Sequence, residues 1–488
     1  MNKNFRLLLT AVGAAALVFA MELCAAEPES VQHPDYLKMV KAYADAMIKA
    51  GRDTYGEEHS PLFASALDRK SMKIGPMPAI SGVRNGDRSL GGANPQTEYG
   101  LYSVLYELTR LTGESVYATE ADNALKYFFT HCQSPKTDLM AWGEHIYWDF
   151  NREGVNGNDS CHEVCGEWPF WDQCYRLAPD ACWQFAIGQW DHQIKSKETG
   201  EFSRHARWSS HGPGSGADFP RYAGQLIVNW ADAYTRKENA GRERKEEMIT
   251  AITCLVRRME ENMAQTKTGY LPALRGADYA WSDSNLELAR CLWKAAPRLN
   301  QELAQRMTKL ALKQDEDFHR MPHMITSNGG FAATLHTETG VPRDRSMNKP
   351  YTAIWATGYG HGTHAGRANR CYARYEQIQK EHQELASKYK CLILAAADQY
   401  LEADPDTKQL LKPDALAEAI GLMLNAHEIS GEKKYLNRAD HFGQLGIKLF
   451  LDDGLPLPKA TNRHDHYEAI TDGPSFMSAL LDLHQRLK

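Results

Sequence analysis

Apolar residues recur at helical spacing along most of this 488-residue chain. Tyr36, Met39, Val40, Tyr43, Ala44 and Met47 share one face of a helix over 36–50. Tyr99, Tyr102, Leu105, Tyr106, Leu108 and Leu111 define a second helix. After the turn Thr112-Gly113-Glu114, Tyr117, Ala121, Ala124, Leu125 and Phe128 define a third. A glycine directly after a helical run is a natural stop. The same hairpin returns near the C-terminus, where LMLNAHEISGEKKYLNRA aligns with VLYELTRLTGESVYATEA. Gly431 then falls on Gly113, Tyr435 on Tyr117 and Ala439 on Ala121. A weaker copy covers 226–259 around a charged turn at 237–245, and further helical runs cover 286–296, 302–318 and 370–401. Strand-like alternation is scarce. Helix, short turn, helix, repeated along a chain, predicts an all-α fold, an (α/α)6 toroid built as a complete or incomplete ring of helical hairpins. In such a ring the loops at one end of the inner helices form a cleft.

Composition narrows the partners. A net charge of -6 and the absence of a basic block argue against nucleic acid. Lys3 and Arg6, the apolar run 7–20 and Cys24-Ala25-Ala26 follow the order of a secretory signal peptide. The expected division is a signal over 1–26 and one catalytic domain over 27–488, exported to the periplasm or beyond. Cys24 raises the alternative of a lipid anchor, but Met21-Glu22-Leu23 lacks the small residues that would favour it. No later stretch is long and apolar enough to span a bilayer. Of ten cysteines, Cys161, Cys165, Cys174 and Cys182 cluster, which in an exported protein suggests one or two disulfides of open connectivity. No metal and no cofactor is expected.

Five polar-aromatic segments are candidates for the cleft. The first, 141–176, sets Glu144, His145, His162, Glu163 and Glu167 among Trp142, Tyr147, Trp148, Trp168, Phe170 and Trp171. Aromatic faces stack on sugar rings, and carboxyls between them move protons. Asn158, Asp159 or Ser160 would cap a helix starting near Cys161, which places Glu163 and Glu167 one turn apart, where mutual repulsion favours one protonated carboxyl. The second, 201–222, carries His205, Arg207 and Asp218 among further arginines, and arginine reads a carboxylate bidentately. The third, 269–284, is assigned mainly to capping through Ser282 or Asp283. The fourth, 351–375, presents His361, His364 and Arg367 in GYGHGTHAGR. The fifth, 462–476, offers His466 and Tyr467.

Taken together, HSPLFASALD, AWGEHIYWD, CHEVCGEWPFWD, RHARW, GYGHGTHAGR and NRHDHYEAITDGPSF resemble exported bacterial carbohydrate enzymes of the (α/α)6 class, glycoside hydrolase family 154 with its β-glucuronidases in particular. The resemblance implies hydrolysis of an acidic, uronic-acid-containing glycan. On this reading Glu144, Glu163, Glu167 and Asp218 are the candidate catalytic acids. His145, His162, Trp168, His205, Arg207, His361, His364, Arg367, His466 and Tyr467 are the candidate substrate contacts. The wealth of His, Tyr and Arg supports a second reaction, β-elimination on a uronate with a Tyr or His base. A non-catalytic glycan-binding protein is the third expectation.

Overall fold

A computed structural model describes residues 33–159, 167–210, 212–213, 218–326, 328–345, 348–356 and 362–488. The expected signal peptide and Cys24 lie outside these residues, as do Cys161, His162, Glu163, Cys165 and His361. Residues Tyr36–Lys488 form one compact unit. Among the described residues are fourteen α-helices: α1 (Tyr36–Ala50), α2 (Pro95–Thr112), α3 (Val116–His131), α4 (Trp171–Leu177), α5 (Pro179–His192), α6 (Pro220–Thr235), α7 (Lys245–Ala264), α8 (Ser282–Ala295), α9 (Gln301–Arg320), α10 (His364–Ile378), α11 (Gln383–Leu401), α12 (Pro413–Ser430), α13 (Lys433–Phe450) and α14 (Gly473–Leu487).

Their packing describes a ring. Helix α6 packs on α8, α8 on α10, α10 on α12, α12 on α14, and α14 returns to α2, while α3, α4 and α5 carry the chain from α2 round to α6. Outside this inner circle, α7, α9, α11, α13 and α1 lie against their inner neighbours. The fold is therefore the all-α toroid of helical hairpins that the repeats predict. Position in the ring shows in the sequence of each helix. Inner α6 is buried on nearly every face, whereas outer α13 hides a single stripe led by Tyr435, Ala439 and Phe442.

The repeated motif has a structural meaning. Gly113 and Gly431 end α2 and α12 in the left-handed conformation, at φ 77° and 73°, and donate to the carbonyls of Thr109 and His427. The repeat tyrosines then tie neighbouring hairpins together. Tyr117 of α3 donates to Asp45 of α1 at 2.9 Å, and Tyr435 of α13 donates to Asp398 of α11 at 2.8 Å. Tyr36 of α1 closes the same outer seam on Asp440 of α13 at 2.6 Å.

Scarce alternation fits strands of two to four residues, too short to show a period. β1 (Ala66–Leu67) pairs with β9 (Tyr467–Glu468), β2 (Gly92–Ala93) with β3 (Ile146–Asp149) and β3 with β4 (Gly154–Gly157); β5 (Ile194–Ser196) pairs with β6 (Glu201–Phe202) and β7 (Tyr279–Trp281) with β8 (Thr334–His336), all antiparallel. Gly92 is required in its pair, since a Cβ there would sit 1.8 Å from the Trp148 carbonyl oxygen. The expected disulfides do not involve Cys174 or Cys182. Both are free, buried thiols, and burial pushes Cys174 up to about 12.

One buried ion pair joins three helices. Arg374 of α10 holds Asp315 of α9 at 2.6 Å, both fully buried, and Tyr389 of α11 donates to the same carboxylate at 2.7 Å. Removing one partner leaves a buried charge without compensation. Asp315→Ala should lower stability by ~3–5 kcal/mol in urea unfolding, and a loss below ~1 kcal/mol would show that the pair does not bind these helices together.

Candidate functional site

A cavity of about 540 Å³ opens where the N-terminal ends of α6, α8, α10 and α12 converge. Three of the four helices start by a device their sequence contains. Pro220 and Pro413 stand at the first positions of α6 and α12, where a missing N–H costs nothing. Thr363 caps α10, its side chain accepting from the Gly366 N–H at 2.8 Å. The long Gly/Pro-rich loop before β2 adds Ser81, Gly82 and Arg84. The connection between α9 and α10 adds Thr334, Asn348, Lys349 and Tyr351.

Positive charge dominates the described lining. Arg84, Arg204, Arg221, Lys349, Arg367, Arg370 and Lys412 face Glu144, Asp283, Asp414 and Glu418, seven cations against four carboxylates. The four helix N-termini add to the same sign. Aromatic surface is contributed by Phe219, Tyr222, Trp281 and Tyr351. Ser282 or Asp283 was expected to cap α8, but both lie inside the helix, whose N-cap is Trp281; Ser282 is its first residue. Asp283 sits in the first turn, 3.1 Å from Arg370 and 3.8 Å from Arg367. Its burial is more than offset by Arg367, Arg370 and Arg221, so its carboxyl lies far below the usual range.

Next to the cavity, Glu144, His145 and His205 bring three ligand atoms within 4.8 Å of one another. The local backbone is shaped for this. Gly143 and His145 both take positive φ, 104° and 80°, and strain of that kind in a non-glycine residue collects at functional sites. His145 Nδ1 lies 2.5 Å from Asp87 Oδ1, which turns Nε2 to within 3.7 Å of Glu144. An imidazole oriented by a carboxylate on its other nitrogen is the usual support of a metal ligand. His205 Nε2 accepts from Arg204 Nε at 3.1 Å, so its lone pair is engaged by that guanidinium and would have to be released before Nε2 could ligate a cation. Two imidazoles and one carboxylate suit a divalent transition cation. No spacing in the sequence pointed to this set, because its two halves come from different loops.

Not all the expected site residues reach the cavity. Glu144 and Arg367 line it, and His145 and His205 stand behind Glu144 and Arg204. Glu167 does not: it is clasped by Arg290 and Lys294 in the C-terminal half of α8, away from the helix end that forms the cavity. Burial pushes its carboxyl up, but those two cations outweigh burial and leave it lowered, the wrong direction for a general acid. Asp218 is bound by the buried Arg258, at 2.9 Å from Nε. Trp168 is no stacking face: it is packed among Tyr102, Trp142 and Phe170, its indole N–H on Cys174. His364 is buried at the start of α10 against Thr352, and burial lowers its basicity. His466 bonds Glu468, which Arg88 holds at 2.6 Å, and Tyr467 meets Tyr43 at 3.1 Å, so both are internal fastenings of β9. Arg207 is exposed and is not among the lining residues.

The start of α12 was missed. Its Lys412, Asp414 and Glu418 read as an ordinary polar helix start. Glu418 reaches Thr363 only because Gly366 is glycine; a Cβ there would lie 2.5 Å from its Oε1. Burial and then Asp414 raise Glu418, and the same two causes push Asp472, the residue before α14, up to about 7.

Residues 60–220 match the model of a family described as periplasmic pectate lyase. Solved structures of similar course include a D-mannose isomerase (10% identity, 94% of this chain and 100% of that one, TM-score 0.47). Others are a sugar epimerase from a ruminal bacterium (10%, 91% and 98%, 0.46) and a glycoside hydrolase family 76 α-mannanase from Bacteroides thetaiotaomicron (10%, 93% and 97%, 0.45). None of these is glycoside hydrolase family 154, which the motifs resemble.

The raised carboxyls give a pH test. Asp472 titrates near 3.8 when unfolded and near 7 when folded, and Glu98 moves from 4.5 to about 7 through burial. Between those limits the folded chain keeps protons that the unfolded chain has released. Their contribution is therefore complete below the unfolded values and lost as pH rises through about 7. Asp472→Asn should flatten part of the fall in denaturant stability between about pH 4 and pH 8; a slope equal to wild type would show that Asp472 ionises normally.

Proposed function

We propose that this chain is an exported enzyme that cleaves a uronic-acid-containing glycan by β-elimination. The observation that carries the reading is the surplus of arginine and lysine over carboxylates in the described lining of the cavity, on helix starts and on the loops between them. A uronate must have its carboxylate neutralised before the proton on C5 becomes acidic enough to remove, and this cavity has the charge to do that. Arg84 and Arg204, beside Glu144, are the residues that would receive the carboxylate. Tyr222 and Tyr351 are the phenols in the lining and supply the base. The base takes the C5 proton, the freed electron pair forms the C4–C5 double bond, the C4–O bond breaks, and the phenol returns its proton to the departing oxygen. Glu144, His145 and His205 would hold a divalent cation, which when bound adds Lewis-acid neutralisation of the same carboxylate. The description of the matching family, periplasmic pectate lyase, agrees with an exported uronate lyase.

Hydrolysis is the second reading, and one observation favours it. Glu418, raised by burial and Asp414, and Glu144 both line the cavity, an acid and a carboxylate as hydrolysis needs. It has lost Glu167 and Asp218, whose carboxylates are bound to cations elsewhere.

Uronate polysaccharides separate the two. Elimination yields a product with the ultraviolet absorbance of a C4–C5 unsaturated uronate, and hydrolysis yields saturated uronic acid. On a substrate that is turned over, Tyr222→Phe or Tyr351→Phe should cut kcat by ~10²-fold or more, and retention of kcat in both would remove the phenols as bases. Chelation should lower activity and added divalent cation restore it, with His145→Ala abolishing the restoration. A chelated wild-type enzyme at full rate would remove the cation from the account.

A further inference from the structure

Glu144 and His145 sit on a turn that backbone preference alone does not hold. Gly143 takes φ 104° and His145 φ 80°. A non-glycine residue stays in that region only where its surroundings over-determine it. Asn94, between β2 and α2 and fully buried, does so. Its Nδ2 donates to the Gly143 carbonyl at 2.8 Å, and the Gly143 N–H donates to its Oδ1 at 3.2 Å. The same Nδ2 lies 3.4 Å from the Ile146 carbonyl and 3.2 Å from Ser89 Oγ. One carboxamide therefore bonds the residues on both sides of the Glu144–His145 pair. The cost is visible at α2. Asn94 is its N-cap, a position where asparagine normally accepts from the helix, yet its side chain makes no cap bond. The Asn94 backbone is itself fixed. Its N–H lies 3.0 Å from both Ser65 Oγ and Glu98 Oε1, and the Ser65 hydroxyl donates to that same Glu98 oxygen.

We propose that Asn94 is a positioning residue of the cavity: its carboxamide sets the backbone of 143–146 so that Glu144 faces the cavity while His145 Nε2 turns towards Glu144. The inference rests on the reading of Glu144 and His145 as working groups of the site. Two holds then act on one turn from the same preceding loop. Asn94 grips the backbone, and Asp87 grips the His145 ring through Nδ1 at 2.5 Å. Glu144 meets His145 and Arg84 only at 3.7 and 3.5 Å, so its placement depends on the backbone that carries it. A displacement of ~1 Å at a working group costs ~10²-fold in rate. Asn94 thus acts through Glu144 and His145 without touching substrate.

The test uses the full chain with Asn94→Ala, and Ser89→Ala as the control that removes only the bond directed away from the turn. Hydrogen exchange read by mass spectrometry needs neither substrate nor cation. Asn94→Ala should speed exchange of the peptide over 141–147 by ~10-fold or more while helices α3 to α14 keep wild-type protection. Calorimetry with Zn²⁺ on the metal-free chain, with His145→Ala as the blank, should show ~10-fold weaker binding. On a uronate polysaccharide that wild type turns over, kcat should fall ~10-fold or more with KM within ~3-fold. Ser89→Ala should match wild type in all three. If Asn94→Ala does not fold, Asn94→Asp takes its place, since it keeps the size of the side chain and an acceptor for the Gly143 N–H while losing the Nδ2 donor. Unchanged exchange over 141–147 overturns the clamp. Faster exchange with unchanged kcat and Zn²⁺ affinity overturns the positioning role and leaves Asn94 a structural residue. A wild type that binds no Zn²⁺ through His145 removes the cation, and one that yields no unsaturated product removes elimination; kcat for whatever product forms still decides Asn94. A wild type with neither binding nor turnover sinks the reading of Glu144 and His145, and the proposal with it.

Discussion

Arg367 is a guanidinium buried at the start of α10, with its nearest carboxylate oxygen, on Asp283, 3.8 Å away and its other amine on Ser282. Burial lowers its basicity, and Asp283, Cys371 and Glu418 work in the opposite sense without outweighing it. The cavity repeats this condition on a larger scale, with more cations than acids and four helix N-termini directed at one space. Such an arrangement is stable only if the scaffold holds like charges together against their repulsion. The toroid does so by fixing the helix starts from outside. The inner helices are bound to each other and to their outer partners through packed apolar stripes and a few buried polar ties, such as Arg374 with Asp315.

Division of labour around the ring follows. Repeated Tyr–Asp bonds, at Tyr117, Tyr435 and Tyr36, anchor the outer helices α1, α11 and α13 to their neighbours. The inner wall carries the chemistry on first turns and on the loops that precede them. Short strand pairs fasten those loops, as β2 with β3 does below the turn that presents Glu144 and His145. Glu468 and His466, rich as they look for catalysis, serve this fastening through Arg88.

The ring was legible because its hairpins repeat: two stretches far apart share the same glycine stop and the same tyrosine, and both do the same work in three dimensions. The site was legible only in part. Segments dense in His, Arg and aromatics include loops that reach the cavity, and Glu144, His145, His205 and Arg367 are in or against it. The same density misled at Trp168, Glu167 and Asp218, because a sequence does not show that an acid has a distant arginine, Arg290 or Arg258, waiting for it. It also hid Lys412, Asp414 and Glu418. A polar first turn is what any helix has, and only the convergence of α12 with three other helix starts turns it into a wall of the cavity.

The central claim is that charge neutralisation at this cavity serves proton removal from C5 of a uronate. Proton NMR of the first product formed from a polyuronate tests it most directly. The account predicts a vinyl proton at C4 on the new non-reducing end, appearing with each bond cleaved. A new non-reducing end that keeps its C4 hydroxyl and a saturated C5 would contradict it.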